Sequence, residues 1–126
     1  CQEGSIWEAA MFASHHKLRN FMVIIDENGL QAMGDTKDIM ELGSIQSKFE
    51  SFGFESMTIG GHNEVEIDEA IIKLWKGDKN KPKALIAKTI KGKGVSFMEN
   101  DNSWHYTRLN QESYQQALSL INKNNL

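Results

Sequence analysis

The sequence predicts an α/β domain: a parallel sheet, doubly wound with helices on both faces. Three observations predict it. Short unbroken apolar runs, Phe21-Met22-Val23-Ile24-Ile25 and Ala84-Leu85-Ile86-Ala87, have the length and composition of strands buried on both faces. Segments with helical apolar spacing lie between and around them, and glycine, asparagine and aspartate punctuate the joins. Strands separated by helices of this length require right-handed crossovers, and therefore run parallel. Three strands make a thin sheet, so residues 1–126 read as a single partial domain, incomplete at its start.

Taken in order, Ser5 and Glu8 have the S-x-x-E spacing of a capping box. The helix they would open, roughly 6–18, is apolar nearly all round up to Ala13, which predicts burial by a core or a partner chain. The strand at 21–25 ends in the turn chemistry of Asp26-Glu27-Asn28-Gly29. Residues 30–43 show no period and read as a loop. Ser44 can cap a helix carrying Ile45, Phe49 and Phe52, with Gly53 as its stop. A weaker strand spans 54–59 and ends at Gly60-Gly61. Asn63 and Glu66 form a second capping signature, followed by the stripe Ile67, Ala70, Ile71, Leu74 up to Gly77. After the polar turn 79–82 and the strand at 84–87 comes the loop Lys91-Gly92-Lys93-Gly94. A last helix is predicted from a cap at Asn110, with Tyr114, Ala117, Leu118 and Ile121 facing the core.

Composition excludes several classes of function. A net charge of −3 gives no basic surface for nucleic acid or an anionic membrane. No apolar run approaches the ~20 residues of a membrane-spanning helix. A single cysteine cannot form an internal disulfide, which suits a reducing, cytoplasmic setting. The first residue is Cys1 rather than methionine, as expected for a fragment.

In a parallel α/β sheet, ligands gather outside the carboxyl ends of the strands. Three loops leave those ends: 26–30, 60–63, and 91 onward to Trp104-His105. Within them, Asn28-Gly29 has two readings. One is a turn that tolerates positive φ. The other is a hard-cation site, in which an amide oxygen and a nearby backbone carbonyl hold magnesium or calcium against phosphate.

The stretch CQEGSIWEAAMFASHHKLRNFMVIIDENGLQ resembles the transketolase family through its thiamin-diphosphate motif. That motif opens with Gly-Asp-Gly, continues with Glu-Gly and a helix, and closes with Asn-Gly some 30 residues later. Glu3-Gly4 and Asn28-Gly29-Leu30 stand at that spacing; the opening Gly-Asp-Gly would lie immediately before Cys1. The likeness continues through DTKDIMEL, GGHN, KTIKGKGVSFMEN and WHYTRLNQESYQQAL, so it covers essentially the whole chain. The wording is most similar to the amino-terminal subunit of transketolases split over two polypeptides.

The resemblance implies transfer of a two-carbon ketol unit from a ketose phosphate to an aldose phosphate, using thiamin diphosphate and Mg²⁺ or Ca²⁺. It implies that Asn28 coordinates the metal through its side chain and Leu30 through its backbone carbonyl, the third ligand being the aspartate of Gly-Asp-Gly. Glu3 matches a glutamate that couples two active sites across a subunit interface. His105 matches a histidine near the diphosphate and the reacting end of the substrate. A diphosphate also suits the helix N-terminus expected at Ser5, while the two-carbon chemistry belongs to the cofactor. The glutamate against the cofactor's pyrimidine would come from a carboxy-terminal subunit or domain in a homo- or hetero-oligomer, so this chain alone would not turn over.

Other candidates read as structural. His62 sits on a Gly-Gly turn, and His15-His16, adjacent on a helix, cannot share a metal on one face. Lys91 and Lys93 lack Walker spacing, Cys1 has no neighbouring base, and the six methionines read as core and interface filler. Glu3 and His105 themselves could be a solvated charge and a surface-loop histidine. Four positions depart from the family pattern: Ala32 and Met33 replace a branched apolar and an acidic residue, and Gly60 and Asn63 replace two acids. Ala32 predicts a looser contact with the thiazolium. These departures motivate a rival reading, a non-catalytic α/β interaction module; a second rival is another thiamin-dependent ketol or acyl transferase, such as a dihydroxyacetone or deoxyxylulose-phosphate synthase.

Overall fold

The computed structural model describes residues 1–123. The chain divides into two compact units, Cys1–Glu27 with Met40–Thr89, and Asn28–Ile39 with Ile90 onward.

The first unit is the α/β sheet. Its strands are β1 (Met22–Glu27), β4 (Glu55–Gly60) and β5 (Lys83–Lys88), all parallel, in the order β1-β5-β4. Its helices are α1 (Gly4–His15), α3 (Ile45–Ser51) and α4 (Glu64–Lys76). The alternation of side chains along a strand sorts β5 between two cores. Ala84 and Ile86 face a cluster with Ala10 and Ala13 of α1, Ile25 of β1, Ile45 and Phe49 of α3, and Phe54. Leu85 faces the other side, with Ala70 and Leu74 of α4. Helices thus cover both faces, the doubly wound arrangement expected.

Of the three strands, β5 in the centre is the one buried along its length. The expectation that residues 21–25 are buried on both faces is corrected: in β1 only Ile25 is buried, and Ile24 is 60% exposed. The cause is position. Among the described residues β1 pairs with β5 alone and is the outer strand, and α4 packs chiefly over β4 and β5, so on this face of β1 Met22 reaches the α4 cluster whereas Ile24 does not. The first helix is corrected as well. It starts at Gly4 with Glu3 as the cap residue in extended conformation, and no side chain caps it. Ser5 therefore lies inside the first turn, where it cannot form a capping box with Glu8. Within this chain Ala10 and Ala13 reach the core, whereas Met11 and Phe12 are more than half exposed, so the chain's own core covers only one face of this apolar helix.

The other caps follow expectation. The Ser44 side chain accepts the Ser47 N–H at 3.1 Å, and Gly53 (φ +93°) follows the end of α3. Asn63 Oδ1 accepts from Val65 N and Glu66 N, while its Nδ2 donates to Glu66 Oε1 at 3.0 Å. Glu66 Oε2 accepts the Gly60 N–H at 3.1 Å, so one carboxylate ties the end of β4 to the start of α4.

At the amino end of β5, Lys83 is buried, 2% exposed, with its ammonium donating to Glu55 Oε2 and to the Asp78 carbonyl, both at 2.6 Å. Burial alone would raise the Glu55 carboxyl; hydrogen bonds from Lys83 and from the Asp78 N–H, with the Lys83 charge, hold it below its ordinary value. A Cβ at Gly77 would meet this carboxylate, which would have to shift away from its present bonds. A cavity of about 320 Å³ opens at this end of the sheet, lined by Arg19, Asn20, Trp75, Asp78, Lys79 and Lys83.

The second unit holds what reads in sequence as a structureless loop. Residues 30–35 form a two-stranded antiparallel hairpin, β2 (Leu30–Gln31) and β3 (Gly34–Asp35), followed by the short helix α2 (Thr36–Ile39). Such two-residue strands are too short to show a period. A 3-10 helix (Asn102–His105) and α5 (Gln111–Lys123) complete the unit. Asn110 caps α5 by accepting the Ser113 N–H at 2.8 Å. Of the residues expected to face the core from α5, Ala117 is buried but Tyr114 is 46% exposed, a correction.

Candidate functional site

The three parallel strands end level: Glu27 and Gly60 both lie opposite Lys88. At that edge the Thr89 hydroxyl donates to the Asp26 carboxylate, the Thr89 N–H to the Glu27 carbonyl at 3.3 Å, and the Gly61 N–H to the Lys88 carbonyl at 2.7 Å. These bonds stitch together the carboxyl ends of the first unit. The pairing of Asp26 with Thr89 joins residues far apart in sequence, and no local spacing signals it.

Asn28 follows β1 directly and opens the second unit. Its Oδ1 accepts the Leu30 N–H at 3.0 Å, an Asx turn around Gly29, whose φ of +75° favours glycine. Leu30 then enters the hairpin. The Gly29 carbonyl accepts the Thr36 N–H at 2.8 Å, so antiparallel alternation makes Leu30 and Asp35 the non-hydrogen-bonded pair. The Leu30 carbonyl consequently faces out of the hairpin. An amide oxygen carries two lone pairs, so accepting from Leu30 is compatible with coordinating a cation. A side-chain amide oxygen and a backbone carbonyl are neutral oxygen donors of the type that hard ions such as Mg²⁺ or Ca²⁺ take. No group of three or more histidine, cysteine, aspartate or glutamate side chains suited to a metal occurs among the described residues. Next in the hairpin, Gln31 Nε2 is buried with no acceptor. A buried amide donor left unsatisfied costs about 1–3 kcal/mol. The sequence signal for Gln31 is its place in Asn-Gly-Leu-Gln, but a polar side chain in a loop gives no hint of burial.

His105 ends the 3-10 helix and is exposed. Its turn is held from several directions. Asp101 caps it by accepting the Ser103 N–H at 2.9 Å; the Ser103 hydrogen bonds, with Trp104 and the Lys91 charge, keep the Asp101 carboxyl below its ordinary range. Trp104 Nε1 donates to the Phe97 carbonyl at 3.0 Å, and the Thr107 hydroxyl to the Ser103 carbonyl at 2.7 Å. Asn102 Nδ2 donates to the Ala32 carbonyl at 2.9 Å. That last bond ties the turn carrying His105 to the hairpin carrying Leu30, within one unit. Ala32 and Met33 form the exposed hairpin tip, Met33 at 78%.

Glu3 lies in the first unit, exposed, as the cap residue of α1. Lys93 pairs loosely with Glu99 Oε1 at 3.8 Å, and the same oxygen accepts the Gly94 N–H, so this glycine-lysine loop is closed by its own carboxylate. His15 and His16 contact each other edge to face, with His16 against Phe12. Asn63, one of the departures, is accounted for as the cap of α4. No helix among the described residues is long and apolar enough to cross a membrane.

The family "Transketolase, thiamine diphosphate binding domain" matches residues 1–122. Among curated relatives, an apulose-4-phosphate transketolase subunit from Phocaeicola vulgatus is 37% identical over 96% of this chain and 43% of its own length. The 6-deoxy-6-sulfo-D-fructose transketolase subunit SqwG of a Clostridium species is also 37% identical, over 96% of this chain and 44% of its own length. Human transketolase is 34% identical over 94% of this chain and 18% of its own. The chain thus spans less than half the length of these relatives. In structure, transketolase from Campylobacter jejuni superposes with a TM-score of 0.85 at 35% identity, over 94% of this chain and 18% of that one.

Proposed function

Because this chain belongs to the transketolase thiamine diphosphate-binding domain family, we propose that it is the diphosphate- and metal-holding part of a cytoplasmic transketolase. Residues 1–126 then form one partial domain. It acts with a carboxy-terminal subunit or domain, which supplies the glutamate for the cofactor's pyrimidine. The observation that carries this reading is the link of Asn28, Leu30 and His105 within a single hydrogen-bonded unit, through the Asx turn, the hairpin and the Asn102–Ala32 bond.

In this reading Asn28 Oδ1 and the Leu30 carbonyl hold Mg²⁺ or Ca²⁺. When bound, thiamin diphosphate supplies the nucleophilic carbon that carries a two-carbon ketol unit from a ketose phosphate to an aldose phosphate. His105, exposed on a hydrogen-bonded turn, serves the reacting end of the substrate as hydrogen-bond donor or proton carrier. Glu3, exposed at the start of α1, faces a partner chain and shares a proton with it. The exposed residues of α1, Ile6, Met11 and Phe12, suit such an association.

The test uses the full-length protein assembled with its partner chain, and measures melting temperature with thiamin diphosphate plus Mg²⁺. A rise that Asn28→Ala abolishes supports the proposal. No rise, or an equal rise in the variant, favours the rival of a non-catalytic interaction module, for which the same α1 face is the supporting feature. Turnover of sugar phosphates then separates transketolase from other thiamin-dependent ketol transferases.

A further inference from the structure

We infer that Tyr106 is a positioning residue that fixes the orientation of the His105 imidazole; this deepens the proposed function and rests on its assignment of His105. The two rings lie 4.4 Å apart between centroids and at 84° to each other, the edge-to-face geometry that aromatic pairs prefer. Tyr106 is 79% exposed, the most exposed of the large apolar and aromatic side chains among the described residues. An aromatic ring so placed contributes nothing to the core. Its backbone nonetheless belongs to a tightly held turn: the Tyr106 N–H donates to the Ser103 carbonyl, and Thr107, Trp104 and Asn102 anchor the residues on either side. Hydrogen bonds hold the turn while its two terminal rings are both exposed.

An exposed histidine on its own rotates among χ1 and χ2 wells, and general acid–base work needs its nitrogen within hydrogen-bond reach of the reacting group. A ring packed edge to face against it removes part of that freedom in advance. The Tyr106 hydroxyl is not required for this role; the ring is. Phenylalanine should therefore substitute and alanine should not.

The test has two independent arms on the full-length protein assembled with its partner chain. In the first, NMR of the His105 ring protons reads the ring-current shift caused by Tyr106. Tyr106→Ala should collapse it towards the value for a free histidine, and Tyr106→Phe should retain it. An unchanged His105 spectrum in Tyr106→Ala overturns the inference whether or not the protein is active. In the second arm, Tyr106→Ala should lower kcat about tenfold to a hundredfold, the scale of a misplaced catalytic group. The KM for sugar phosphate and the affinity for thiamin diphosphate should stay within about twofold, and Tyr106→Phe should restore kcat. A loss confined to cofactor affinity or melting temperature would mean that Tyr106 is merely structural, and would also overturn it. A retained ring-current effect in an assembly that binds no cofactor would instead refute the proposed function and leave the ring contact standing.

Discussion

Removing Glu55 should cost more stability than removing its partner Lys83, although the lysine is the more deeply buried of the two. Glu55→Ala strips Lys83, 2% exposed, of the carboxylate at 2.6 Å and leaves it only the Asp78 carbonyl. It also orphans the Asp78 N–H, which donates to the same oxygen at 2.8 Å. Breaking a buried pair in this way costs about 3–5 kcal/mol. Glu55 is 34% exposed at its side chain, so water can enter the vacated space, and the expected loss is nearer to about 2–3 kcal/mol. Lys83→Met fills the same volume with an apolar chain and leaves Glu55 hydrated and still bonded to Asp78. Its expected cost is about 1 kcal/mol or less. The pH dependence has a fixed sign. Glu55 is held below its ordinary value of 4.5 in the folded protein, so its contribution is present above about 4.5 and fades as pH falls through the folded value. Urea unfolding followed by circular dichroism at pH 7 and at pH 3 checks both points. Lys83→Met proving as destabilising as Glu55→Ala, or a gap between wild type and Glu55→Gln that widens in acid, would refute the reasoning.

Three further outcomes follow from named contacts. Asn63→Ala removes the cap on two N–H groups of α4 and should destabilise by about 1 kcal/mol in urea unfolding, with cofactor binding unchanged. Gly29→Ala places a Cβ at φ +75°, where there is open space but unfavourable backbone; it should cost about 1 kcal/mol and weaken Mg²⁺-dependent cofactor binding, as read by titration calorimetry. Asn102→Ala cuts the bond from the His105 turn to the Ala32 carbonyl; steady-state kinetics should show kcat falling while stability changes by about 1 kcal/mol at most.

Much of the fold is legible in the sequence because it rests on local signals. Ser44, Asn63 and Asn110 each announce a helix start through a short polar side chain, and each caps in the structure. Ala84-Leu85-Ile86-Ala87 announces the central strand through an apolar run, and β5 is buried. Ser5-Glu8 misleads because capping-box spacing is also a common pairing inside a helix, and Glu3 takes the cap position two residues earlier. Ile24 is exposed in the described residues because β1 is the outer strand there, a position that composition does not indicate. The hairpin at 30–35 and the buried Gln31 amide are not legible, since two-residue strands carry no period. Asp26–Thr89 and Glu55–Lys83 join distant residues, a matter of topology that a linear pattern does not encode. For the candidate site, the motif selects Asn28, Leu30 and His105, and all three lie in one unit; the Asn102 link between their turns is visible only in the structure.

In the proposed function, Asn28 and the Leu30 carbonyl hold a divalent ion against a diphosphate. The most direct measurement of this is titration calorimetry of thiamin diphosphate into the assembled full-length protein, with and without Mg²⁺, for wild type and Asn28→Ala. Binding to the wild type should depend on Mg²⁺. In the variant, affinity should fall at least about tenfold, the loss expected from removing even an outer-shell partner of a metal site. Wild-type binding that is indifferent to Mg²⁺, or equal affinity in Asn28→Ala, would contradict it.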